Sequence, residues 1–133
     1  MPHAFLNPAG LHDPTPFGYS HTAQVPAGAR WVLISGQYGS GPDGQVVSGD
    51  FAEQVRQAFH NLGVALAAHG LGMGDVVQFR SYVVQPDFTR LGIIGQAVHA
   101  ACGPVPPTQT LLGVAALAMP DILFEIEAIA VRA

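Results

Sequence analysis

Between Asp50 and His69 the chain carries the marks of one amphipathic helix, and the rest of the fold must cover its apolar stripe. Phe51, Val55, Phe59, Leu62 and Leu66 recur at intervals of three or four residues, which aligns them along one side of a 3.6-residue turn. Asp50 is a side-chain acceptor for an orphan backbone amide, and Glu53 follows at capping-box spacing. Gly70 fits the position just past the helix, where a left-handed backbone needs no Cβ. Such a helix is marginal alone and needs a second layer to pack on.

That layer reads as a sheet. His21 to Val25 and Trp31 to Gln37 are expected strands, with a turn at Val25-Pro26-Ala27-Gly28-Ala29. Trp31-Val32-Leu33-Ile34 is continuously apolar, which suits a strand covered on both faces. Asp43-Gly44 is a strong turn signal, and Gln45 to Val47 is a candidate brief strand. Asp75 to Val84 alternates, with Phe79, Ser81 and Val83 on one face and Gln78, Arg80 and Tyr82 on the other. Pro86-Asp87 opens a second helix capped by Asp87, with a stripe of Phe88, Leu91, Ile94 and Val98. Gly92 and Gly95 within it each cost about 1 kcal/mol relative to Ala, so they point to close packing or to room left for something else. Thr108 to Leu117 and Ile122 to Val131 complete the strands, in the order ββ(β)αβαββ. Residues 1–17 are rich in Pro, Gly and His and read as an extended or poorly ordered lead-in, and residues 18–133 read as one α+β domain.

Composition narrows the function. Of 133 residues, 49% are hydrophobic and 11% are charged. A small body cannot bury that much apolar surface by itself, so an oligomer is expected, although abundant Ala and Gly raise the same count without large patches. All five basic residues are arginine, and the net charge is -4. Nucleic-acid binding without sequence preference needs clustered cations, so it is disfavoured. The absence of lysine excludes Schiff-base catalysis on that residue. Cys102 is the single cysteine, so no intrachain disulfide and no cysteine-based zinc cluster is expected. There is no basic region followed by an apolar core at the N-terminus and no run of about 18 apolar residues, so neither a signal peptide nor membrane association is expected, and the cytosol is the expected location.

Five stretches then appear in a recognisable order: Gly18-Tyr19-Ser20-His21; Ile34-Ser35-Gly36-Gln37; Asp50 to Leu66 with Glu53-Gln54 and Asn61-Leu62; Asp75-Val76-Val77 with Tyr82-Val83; and Pro107 to Leu117 followed by Phe124 to Ala130. Singly they are weak; in order and with matching gaps they resemble the Rid/YjgF family over nearly all of residues 18–132. The resemblance implies a chorismate mutase-like (bacillus type) fold, a mixed sheet with two helices on one face. It implies a homotrimer whose other sheet faces form a barrel-like core, with a small-molecule ligand in each cleft between subunits. No cofactor and no metal is expected.

The family's imine deaminases place an arginine on the substrate carboxylate and a glutamate near the start of the last strand to handle water. By motif, the glutamate is Glu125, the tyrosine bordering the pocket is Tyr19, and the strand end that contacts ligand is Ser35-Gly36. Gln109 stands at the arginine position. An arginine fork carries permanent charge matched to a carboxylate, whereas an amide brings no charge. A substrate without a carboxylate, replacement by another cation, or lost activity would each account for Gln109. The alternative for Gln109 is a plain polar strand residue. Arg80 is the candidate substitute, and its alternative is an ion pair with a carboxylate. The resemblance also puts Gly92 and Gly95 where relatives often carry an asparagine and an aromatic residue, which would enlarge the pocket wall.

Glu125 also has a case of its own. Glu125 and Glu127 share a strand face with Ile129 and Val131, and apolar neighbours raise a carboxyl's pKa toward the range useful for proton transfer. Exposure at a strand end or pairing with an arginine is the alternative, and it is the reading for Glu127. The six histidines, His3, His12, His21, His60, His69 and His99, have no zinc-site spacing. Cys102 is expected to be a buried, inert thiol. These readings lead to a hydrolase or deaminase acting on an enamine, imine or related molecule, distinct from the standard 2-imino-acid deaminase. The alternatives are a trimer that binds a small metabolite without turnover, and a ribonuclease, which the acidic composition disfavours.

Overall fold

A computed structural model describes residues 4–133 of the chain; His3 lies outside them. The elements are β1 (Ala4–Leu6), β2 (Thr22–Gln24), β3 (Arg30–Tyr38), α1 (Phe51–Ala67), β4 (Val76–Val84), α2 (Phe88–Cys102), β5 (Thr108–Val114) and β6 (Phe124–Arg132), with single 3-10 turns at Thr15–Phe17 and Met73–Asp75. The main sheet has the order β3-β6-β4-β5. β4 and β5 are parallel, joined by the α2 crossover, and the other pairs are antiparallel. The sheet is therefore mixed and the domain is α+β, as expected.

α1 forms for the reasons its sequence gives. Phe51, Val55, Phe59, Leu62 and Leu66 are all buried. Asp50 accepts a hydrogen bond from the Glu53 amide at 3.1 Å. The reciprocal half of the capping box is absent: the Asp50 amide donates to Ser48 Oγ, and the Glu53 carboxylate pairs with Arg56 instead. Gly70 sits at φ 71, and the Leu71 amide closes the turn on the Leu66 carbonyl. Asp50→Ala is expected to lower unfolding stability by about 1 kcal/mol in chemical denaturation, the usual size of a lost N-cap.

Both helices cover one sheet face. Phe59 packs on Phe79 and Phe124, with ring centroids 6.0 and 6.3 Å apart, and Ile94 and Val98 of α2 join the same core. As the alternation requires, Phe79, Ser81 and Val83 point into this core. Gln54 is fully buried in α1, yet its amide is well satisfied. It donates to the Ser48 and Asp121 carbonyls and accepts from the Leu123 amide, each at 2.9 Å. This anchor fixes the chain two residues before Glu125.

Several expectations need correction. β2 pairs with β1 in a separate two-stranded sheet, not with β3. The lead-in contributes β1 and a 3-10 turn, which its lack of a hydrophobic period concealed. Gln45 to Val47 forms only a single bridge, Ser40 to Val46, because the loop turns back at once. β5 stops at Val114 and β6 starts at Phe124, both shorter than expected. The α2 stripe is half wrong: Ile94 and Val98 are buried, but Phe88 is 93% exposed and Leu91 borders solvent, because the N-terminal half of α2 faces a cleft and not the sheet. Trp31 and Leu33 are 58% and 74% exposed, so within one chain β3 is covered on a single face.

Candidate functional site

Glu125 lies opposite Tyr38 of β3 and Tyr82 of β4, on the sheet face away from the helices. β3 breaks register between Ile34 and Gln37, which sets Gly36 under the glutamate. A Cβ on Gly36 would stand 1.9 Å from Glu125 Oε2, so only glycine leaves the carboxylate in place. Ser35, one residue earlier, is exposed, and its carbonyl accepts from Gln37 Nε2. Partial burial raises the Glu125 pKa first, and the neighbouring negative charge of Glu127 raises it further.

Glu127 is held differently. Its carboxylate accepts from Tyr82 Oη and lies 3.9 Å from Arg80, its register partner. That hydrogen bond and the partial burial of Tyr82 raise the tyrosine's pKa. Arg80 thus takes the commoner role, an ion pair, and both its ends are more than a third exposed, so its contribution to stability is small. It shares the Glu125 face.

Gln109 belongs to the other face. It lies opposite Phe79, and its Oε1 accepts from the buried Ser81 hydroxyl at 2.7 Å. Its Nε2 donates to the Gly18 carbonyl at 3.4 Å. The side chain therefore ties β4 and β5 to the N-terminal segment. Next to it, Tyr19 Oη is 2.7 Å from His12 Nε2, and His21 Nε2 is 2.8 Å from the His12 carbonyl. The rings of His12, Tyr19 and His21 pack edge to face, which holds Tyr19 beside the β5 edge.

The predicted residues therefore form two groups. Gly36, Ser35, Arg80 and Glu125 lie on or beside the bare face; Tyr19 and Gln109 meet at the parallel edge. Side chains alternate along β4, so Phe79 and Tyr82 point opposite ways, and Gln109 and Glu125 with them. One chain does not bring these two groups onto a shared ligand. Sequence reasoning missed two positioning residues, His12 and Ser81. Ser81 had a signal, a lone hydroxyl in the Phe79–Val83 row; His12 had none, because its contact with Tyr19 depends on how the lead-in folds.

Two clefts flank Tyr19 and Gln109. One, of about 530 Å³, opens among Trp31, Gln78, Ile129 and His21. The other, of about 1100 Å³, lies between α2, residues 15–19 and β5. Cys102 is largely buried, and its thiol pKa is pushed up to about 11, which agrees with an inert role. Among the described residues no cluster of three or more His, Cys, Asp or Glu could hold a metal, and no helix is long and apolar enough to cross a membrane.

Together these features define a small α+β domain with a mixed sheet, one bare face bearing a perturbed carboxyl, and clefts at its parallel edge. The Endoribonuclease L-PSP family matches residues 12–132. RutC family protein YjgH of Escherichia coli is 35% identical over 92% of this chain and 90% of its own length. The 2-iminobutanoate/2-iminopropanoate deaminase of Mus musculus is 36% identical over 86% of this chain and 81% of its own length. The crystal structure of YyfB from Yersinia pestis, a Rid-family protein of unknown function, superposes with a TM-score of 0.91 at 35% identity, covering 98% of each chain. The chain belongs to the Rid/YjgF family.

Proposed function

We propose that this protein is a homotrimeric small-molecule hydrolase of the imine or enamine deaminase type, with Glu125 as its water-handling group in clefts between subunits. The placement of Glu125 carries the reading. Its carboxyl is seated on Gly36, its pKa is raised, and its acidic neighbour is already engaged by Arg80 and Tyr82. A carboxyl shifted toward neutrality can both take a proton from water and return one. Water adds to the C=N carbon as Glu125 accepts its proton and the nitrogen gains one. Collapse of the carbinolamine releases a carbonyl compound and ammonia.

The separation of Gln109 and Glu125 by the sheet supports a site built from two copies, and the bare apolar face around Trp31 and Leu33 supports association through that face, around a barrel-like core. Relatives named as imine deaminases support the reaction class. Gln109, engaged by Ser81 and Gly18, supplies no charge for a carboxylate, so we separate this protein from the standard 2-imino-acid deaminases. The same engagement favours a second reading, a trimer that binds a metabolite without turning it over.

The test is hydrolysis of 2-iminopropionate, generated in situ by an amino-acid oxidase. The wild type is expected to be slow. Gln109→Arg is expected to gain about tenfold to a hundredfold, the worth of a charged hydrogen bond, and to lose that gain when Glu125→Gln is added. A gain in Gln109→Arg that is indifferent to Glu125 overturns the role of Glu125; silence in both proteins moves the test to hydrolysis of an uncharged imine, and no turnover there overturns the hydrolase reading and leaves the binding protein.

A further inference from the structure

The larger cleft has a chemistry of its own. One wall is the N-terminal half of α2, with Phe88, Leu91 and Gly92 turned into it; the facing wall is Phe17 and Tyr19; the edge of β5 with Gln109 closes the back. Phe88 and Phe17 are 93% and 68% exposed, a large apolar area for a surface to leave in water unless something occupies it. Among the described residues no Arg, Lys, Asp or Glu lines the cleft, and Tyr19 and His99 are the titratable side chains that do. The nearest arginine on α2, Arg90, turns away: it donates to the Val84 carbonyl and lies over the Phe51 ring. Glycines make the space. A Cβ on Gly92 would meet nothing within 4 Å, and one on Gly95 would only graze the Phe17 carbonyl at 4.0 Å.

Concave, mainly apolar sites with a few converging polar groups are the usual form of small-molecule pockets, at about 300–1,000 Å³. At about 1100 Å³ this cleft is slightly larger than that range. An anion entering it would lose hydration with no cation to replace it. A neutral molecule gives up apolar surface only, and the second N–H of Gln109 can meet one neutral acceptor on it.

We infer that this cleft binds a neutral molecule with a bulky, ring-sized apolar group, held between Phe17 and Phe88 over Gly92, and that the substrate class is an uncharged apolar imine, enamine or carbonyl compound. The substrate class rests on the hydrolase reading above; occupancy of the cleft does not.

Binding therefore tests it apart from turnover. The neutral fluorophore N-phenyl-1-naphthylamine and its sulfonated relative 1-anilinonaphthalene-8-sulfonate are titrated into the full chain, followed by fluorescence. Saturable binding of the neutral probe at one per chain is expected, at least about tenfold tighter than the sulfonate. Gly92→Phe places a ring in the space above Gly92 and is expected to weaken the neutral probe about tenfold or more, and Gly92→Leu less, with circular dichroism and melting temperature retained in at least one of the two. Absence of saturable binding overturns the proposal. So does equal affinity for the sulfonate. So does binding indifferent to a folded Gly92 variant, which would place the probe on the bare sheet face. No turnover of an uncharged aromatic imine with probe binding intact would remove the hydrolase reading and leave the neutral-ligand cleft.

Discussion

Glu125→Gln is expected to abolish imine hydrolysis, with kcat falling about 10²- to 10⁴-fold, the range associated with a positioned general acid–base. The fold is expected to survive, because glutamine keeps the shape seated on Gly36. Stability is expected to move the other way. Burial and Glu127 raise the folded pKa of Glu125 above its unfolded value. The ionised form is therefore disfavoured by folding. That penalty is absent below the unfolded pKa and is complete once pH has risen through the raised folded pKa. At neutral pH the neutral amide removes it, so the melting temperature of Glu125→Gln should equal or exceed that of the wild type, and the difference should vanish in acid. Gly36→Ala provides the companion measurement. Its methyl group would occupy the space of the carboxylate, so turnover should fall although Glu125 remains. Full turnover in Glu125→Gln would sink the mechanism; a loss of turnover accompanied by a lowered melting temperature at neutral pH would reduce Glu125 to a structural residue.

Leu33→Asp is expected to convert the proposed trimer into monomers. Leu33 is 74% exposed opposite Ile129, and Trp31 beside it is 58% exposed opposite Val131. If this face is the subunit interface, each Leu33 buries on association, worth roughly 1.5–3 kcal/mol per chain, and an aspartate there would bury an unpaired charge. Three copies compound the loss. Light scattering should report about three times 13.9 kDa for the wild type and 13.9 kDa for the variant. Circular dichroism should stay native, because Leu33 contributes nothing to the core between sheet and helices. Hydrolysis should vanish with the trimer, since Gln109 and Glu125 lie on opposite faces of each sheet. A monomeric wild type would remove the two-copy site and leave the two clefts that flank Tyr19 and Gln109 within a single chain.

These expectations come unequally from sequence and structure. The α1 stripe, its Asp50 cap and the Gly70 turn are local patterns, readable because each depends on neighbours within a few residues. The alternation of Phe79, Ser81 and Val83 against Gln78, Arg80 and Tyr82 is equally local. Over α2, periodicity marks which side chains share a face, not whether anything covers that face; Phe88 and Leu91 share it with Ile94 but overhang a cleft. β1 is not legible in the sequence, because a three-residue strand carries too little pattern to stand out from a Pro- and Gly-rich segment.

The sequence by itself determined the class of fold, the family, the position of Glu125 on an alternating strand, and the absence of an arginine at Gln109. These follow from residue type, spacing and order along the chain. Only the tertiary structure decided that Glu125 rests on Gly36, that Arg80 is paired with Glu127, that Gln109 is held by Ser81 and Gly18, and that Gln109 and Glu125 face opposite ways. Each depends on strand register and on which strands are neighbours. Those are set by packing between segments 28 to 91 residues apart, and no local pattern carries that information.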